Sequence, residues 1–180
     1  SGDWSSDVCS SDLGTVFYTI VCIQGPMQAF RNVNEITSKT DWVIGHAHMA
    51  LLGAFSYFAM AGVYFVVPKV TNKELYSQRL ANWHFTLTLF GSMLMFVSLF
   101  IGGFLQGLEW ATWAQGSSYA EFHRNLSFIP FLKTLENVRI WWMFRSLSGL
   151  ILLVAFLLFA LNIFNTALTP KNNQQTTQKD

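Results

Sequence analysis

Two histidines one residue apart, His46-Ala47-His48, lie inside a long apolar run over residues 42–67. Histidine in a membrane-length apolar segment is costly unless it pairs with or ligates something, so it marks chemistry. Successive residues of an α-helix are rotated by about 100°, which points positions 46 and 48 about 200° apart. The two imidazoles therefore cannot close on one metal from one helix. They can ligate two separate groups, one on each side, and neutral imidazole is a good axial donor to haem iron. Gly45, Ala47, Ala50 and Gly53 are small enough to let flat macrocycles approach the backbone. One alternative is that both rings hydrogen-bond to neighbouring helices. Another is a haem-free transporter or structural bundle with its histidines in a proton relay.

The elements that must position this pair follow from hydropathy. As a helix, residues 42–67 would measure about 39 Å, ample for a ~30 Å hydrocarbon core. Pro68 is expected to close that span, because proline cannot continue the hydrogen-bond ladder. Further spans are expected at about 80–108 and 140–161. The apolar stretch at 15–23 is too short to cross and reads as the exit end of a helix. Three full transmembrane helices plus the end of a fourth make this an all-α membrane protein. The composition agrees: 52% of residues are hydrophobic and 12% charged, about half the charge of an ordinary globular domain. A net charge of +1 gives no reason to expect nucleic acid or an acidic partner.

The connection at 69–79 carries Lys69, Lys73 and Arg79 against Glu74, and the polar tail at 169–180 also bears lysine. With three alternating spans these two segments share a side, which the positive-inside rule makes cytoplasmic. His46 and His48 then lie near the outer face. Tryptophans 42, 83, 110, 113, 141 and 142 fall near span ends, as interfacial anchors do. The tail reads as solvated and disordered. Residues 1–13 are polar, lack an apolar core and are no signal peptide. Their reading resembles a translated synthetic sequencing adapter, so they are expected to be non-native, with the natural sequence beginning upstream of Gly14. Cys9 and Cys22 form no metal motif and no disulfide framework.

The motifs as a set resemble a known family. Asp41-Trp42-Val43-Ile44-Gly45-His46-Ala47-His48, followed by Leu52-Gly53, resembles the tenth helix of the catalytic subunit I of haem-copper oxidases. Gly25-Pro26-Met27, Glu74-Leu75-Tyr76-Ser77, Trp83-His84-Phe85, Gln106-Gly107-Leu108, and Arg145 with Gly149 opening the last helix resemble its cbb3-type cytochrome c oxidase branch. The likeness runs over residues 14–168, as the C-terminal part of a twelve-helix bundle. A nitric oxide reductase large subunit shares the paired-histidine helix and stays open as an alternative.

The resemblance implies His46 as axial ligand of the high-spin haem b3 and His48 as axial ligand of the low-spin haem b. It implies Arg145 as a contact to haem propionates and Tyr18 as part of a proton path. His84 matches a family histidine that is no ligand, and His123 reads as solvated in the long connection. Copper would be held by residues outside this piece, which alone should be inactive. Electrons would come from cytochrome c-type subunits and reduce dioxygen to water with proton translocation, in a bacterial inner membrane. Two positions depart from the pattern. Gln24 stands where the family commonly has glutamate and cannot take up a proton, and Ser38-Lys39 replaces a frequent His-Tyr pair. Met93, Met95 and the phenylalanine-rich faces read as packing.

Overall fold

In the computed structural model, which describes residues 6–114 and 130–169, every element is helical, with no strand among the described residues. The first helix, α1 (Ser6–Ala29), leads through Phe30 into the short α2 (Arg31–Thr37), and a turn at 38–40 enters α3 (Asp41–His48). Helix α3 runs on without a break through a π-helical segment (Met49–Ser56) into α4 (Tyr57–Thr71). Two long helices follow, α5 (Gln78–Ala114) and α6 (Pro130–Leu168). The tail at 170–180 and His123 lie outside the described residues.

Three helices are long and apolar enough to cross a membrane: Asp41–Thr71, Gln78–Ala111 and Leu132–Leu168. The sequence expectation is met in number and place, but each helix outruns its apolar stretch. Pro68 does not end the first span. It sits inside α4, which continues to Thr71 and closes on Asn72 in the left-handed conformation, φ 50. The Asn72 and Lys73 N–H groups then donate to the Lys69 and Pro68 carbonyls, the usual satisfaction of a helix end. Proline removes one ladder bond, and one missing bond close to a helix end is tolerated. The last helix opens at Pro130, well before Arg145 and Gly149, because Thr134 and Val138 extend its buried face backwards. Helix α1 takes in residues 6–13 and buries Ser10.

The π segment keeps the first span in phase with its neighbours. Asp41, Gly45, Met49, Gly53 and Tyr57, spaced four apart, are all buried. In an unbroken α-helix each such step drifts by about 40°, or about 160° over the run. The wider i→i+5 turns rotate less per residue and offset that drift. Ser56 follows this geometry, its hydroxyl donating to the Leu51 carbonyl at 2.9 Å.

Helices α5 and α6 pack antiparallel. On α6 the buried positions Thr134, Val138, Ser148, Leu152, Ala155, Asn162 and Thr166 are separated by three or four residues or by sums of such steps, the seam of a coiled pair. Several are polar or small, as expected where lipid removes the hydrophobic drive between helices and close packing and hydrogen bonds hold them together. Where α4 gives way to α5 the connection is clamped to α6. Ser77 N–H donates to Asn162 Oδ1 at 3.1 Å, Asn162 Nδ2 donates to the Ser77 carbonyl at 3.0 Å, and Tyr76 N–H donates to Thr166 Oγ1 at 3.0 Å. Where α1, the first span and α5 meet, Phe17, Met49, Ala54, Tyr57, Met60 and Phe96 form the apolar core. Phe17 stands edge-on to both Tyr57 and Phe96.

Candidate functional site

The orientation of the histidine pair is set one to two turns earlier, at the start of α3. Thr40 caps the helix: its Oγ1 accepts from Trp42 N–H at 3.2 Å and donates to the Thr37 carbonyl at 2.7 Å. Asp41 is buried there. Its N–H donates to Gln106 Oε1 of α5 at 2.9 Å, and its Oδ2 accepts from Trp142 Nε1 of α6 at 2.6 Å. Arg145 Nη1 lies 3.7 Å from Asp41 Oδ1. A carboxylate in the first turn also suits the positive end of the helix dipole. Helix α5 approaches backbone to backbone here. A Cβ at Gly103 would overlap the Trp42 backbone nitrogen, and one at Gly107 would overlap the Ile36 carbonyl oxygen. The Gln106-Gly107 dipeptide thus has a physical reading: the amide satisfies an orphan helix N–H and the glycine permits the contact.

His46 and His48 leave the helix in different directions, as their spacing requires. His46 is half-buried against α1, with Nδ1 3.3 Å from Gln24 Oε1. His48 is exposed, and its Nδ1 lies 2.8 Å from the Ile44 carbonyl of its own helix. A carbonyl only accepts, so His48 Nδ1 carries the proton and its Nε2 keeps the lone pair. With Gln24 presenting its oxygen, the same holds for His46. Each ring therefore offers one unengaged Nε2, the arrangement an axial metal ligand needs, with the second nitrogen anchored.

The surroundings fit two such ligands better than one shared ion. Among the described residues no group of three or more His, Cys, Asp or Glu could hold a metal. Two buried donors on the same two helices lack a partner, Trp42 Nε1 and Gln28 Nε2. They stand one turn along from His46 and Gln24 on their respective helices. The small residues divide into two sets. Gly45 serves close packing against Leu99 and Phe100, and Gly53 against Phe17 and Phe96, rather than the approach of a macrocycle. Ala47 and Ala50 remain exposed and half-buried on the other faces.

Of the remaining residues marked in the sequence, Arg145 pairs with Asp41 while its side chain stays 42% exposed. Tyr18 is 49% exposed on the surface of α1, next to the core residue Phe17. His84 is buried between Tyr64, whose hydroxyl lies 3.2 Å from its Nδ1, and Phe159. Lys39 takes φ 64 in the turn between α2 and α3. Sequence reasoning assigned no role to Asp41 or Gln106, read Trp142 only as an interfacial anchor, and missed the contact of Gln24 with His46. The capping pattern Thr40-Asp41 was the one available signal for the first of these.

The site is thus a membrane-length helix that offers two separately anchored imidazoles in different directions. The sequence matches the family described as Cytochrome C and Quinol oxidase polypeptide I over residues 11–151. The chain belongs to that oxidase subunit I family. It is 30% identical over 155 residues to a cytochrome c oxidase subunit 1 homolog of Azorhizobium caulinodans, covering 86% of this chain and 27% of that protein. It is 31% identical over 156 residues to the cbb3-type cytochrome c oxidase subunit CcoN1 of Stutzerimonas stutzeri, covering 86% of this chain and 31% of that protein. With cytochrome c oxidase subunit 1 of Rhodobacter capsulatus it shares 32% identity over 152 residues. The chain thus spans about a third or less of the length of these relatives.

Proposed function

We propose that this chain is the haem-ligating helical part of subunit I of a cbb3-type cytochrome c oxidase. The observation that carries the reading is the pair of imidazoles on one helix, each with Nδ1 engaged and Nε2 unengaged. His46 would be the axial ligand of the high-spin haem b3 and His48 that of the low-spin haem b. When bound, the haems and copper supply electron transfer and the reduction of dioxygen to water. The chain's own residues hold the ligands in place. Asp41 and Gln106 fix the start of α3, while Ile44 and Gln24 fix the two ring tautomers.

Arg145, only partly engaged by Asp41, has donors to spare for haem propionates, and the unpartnered Trp42 and Gln28 N–H groups suit the same carboxylates. Copper would be held by residues elsewhere in the oxidase. Cytochrome c-type subunits would deliver the electrons, and Tyr18 would serve a proton path. The setting would be a bacterial inner membrane with coupled proton translocation.

The test is optical. His46→Ala and His48→Ala are made separately in the whole oxidase complex, purified in detergent. Loss of the high-spin haem signature in the first and of the low-spin b-type bands in the second is the expected result. Retention of both haems in both variants would overturn the assignment.

A further inference from the structure

The two histidines are anchored by unlike partners. His48 Nδ1 bonds to a backbone carbonyl of its own helix, which no side-chain substitution removes. His46 Nδ1 instead meets a side chain on another helix, Gln24 Oε1 of α1, at 3.3 Å. From this asymmetry we infer that Gln24 is a positioning residue for His46: its amide oxygen fixes the proton on Nδ1 and sets the donor strength of Nε2. The inference rests on the reading of His46 as an axial haem ligand.

The chemistry of the amide makes the choice consequential. Glutamine can present either an oxygen or an NH2 group to the ring. With the oxygen inward, Nδ1 donates and Nε2 keeps its lone pair. With the NH2 inward, Nδ1 would accept, the proton would move to Nε2, and no lone pair would face a metal. The half-buried Gln24 presents its oxygen. The neighbouring Gly25 also lies beside the ring: a Cβ there would stand in ordinary contact with His46 Cε1, at 3.9 Å. The amide is also a neutral acceptor. A carboxylate is stronger and pulls the Nδ1 proton harder, which makes the opposite nitrogen a better donor. Gln24 therefore holds His46 as a moderate donor, whereas the anchor of His48 is invariant.

The experiment measures the iron–histidine stretching band of the reduced high-spin haem by resonance Raman spectroscopy, in the whole oxidase complex. Wild type is compared with Gln24→Glu, Gln24→Leu and His46→Ala, with haem content measured in each. The inference expects the band to move to higher wavenumber and the haem's midpoint potential to fall in Gln24→Glu. Gln24→Leu should shift the band to lower wavenumber. Gln24→Glu is nearly isosteric and keeps an acceptor, so it carries the test by itself where Gln24→Leu does not assemble. A band that disappears in His46→Ala but stays unmoved in Gln24→Glu overturns the inference and leaves the ligand reading intact. A band that survives in His46→Ala overturns both.

Discussion

Removing the Asp41 carboxylate tests whether the start of α3 is held as the structure shows. The side chain is 11% exposed, and its bond from Trp142 Nε1 is short at 2.6 Å. A buried hydrogen bond to a charged group contributes about 1.5–3 kcal/mol. The Arg145 pair, at 3.7 Å with the arginine 42% exposed, adds about 1 kcal/mol at most after solvent screening. The favourable placement at the helix N-terminus adds about 0.3–1 kcal/mol. Asp41→Ala should therefore cost about 2–4 kcal/mol, dominated by the bond to Trp142. Asp41→Asn keeps an acceptor for the indole and should cost about 1 kcal/mol, through loss of charge.

The decisive measurement is a double-mutant cycle of Asp41→Ala with Trp142→Phe, by SDS titration in mixed micelles followed by circular dichroism. A coupling of about 1.5–3 kcal/mol is expected. A coupling below about 0.5 kcal/mol, the scatter of independent sites, would refute the reasoning. So would an Asp41→Asn variant as unstable as Asp41→Ala.

Two further outcomes follow from the packing. Gly107→Ala places a methyl on the Ile36 carbonyl oxygen, a backbone atom that cannot swing aside; it should cost about 3 kcal/mol or more in the same titration. Gly149→Ala, whose Cβ meets nothing within 4 Å, is the matched control and should be no less stable than wild type. Asn162→Leu strands both the Ser77 N–H and its carbonyl, at about 1–3 kcal/mol each. It should speed tryptic cleavage at Lys73, and an unchanged cleavage rate would count against the clamp.

The number and place of the spans were legible because hydropathy alone decides whether a helix can cross a bilayer. So was the opposed facing of His46 and His48, since it follows from helical rotation. Helix ends were less legible. Pro68 reads as a stop, but a single lost ladder bond does not end a helix that Asn72 can cap further on. The start of α6 was hidden because residues 130–139 are mixed in character, and their helical face shows only through burial of Thr134 and Val138. Gly45 and Gly53 looked like room for a macrocycle, when their vacancy is filled by side chains of α1 and α5. The partners of the site were illegible for a common reason. Gln24 and His46 are 22 residues apart, and Asp41 and Trp142 are 101 apart, so only the tertiary arrangement joins them.

The wide turns of Met49–Ser56 have a consequence for how this helix can change length. They hold surplus backbone relative to ordinary α turns. Deleting one residue between His48 and Tyr57 would be absorbed by tightening that segment, leaving the histidine end and the Thr71 end in the same mutual orientation. Inserting a residue finds no such slack and would rotate one end against the other. Residue count along this helix is thus a poor ruler of distance. An alignment gap just after the paired histidines would mark a local change of winding, with the site itself undisturbed.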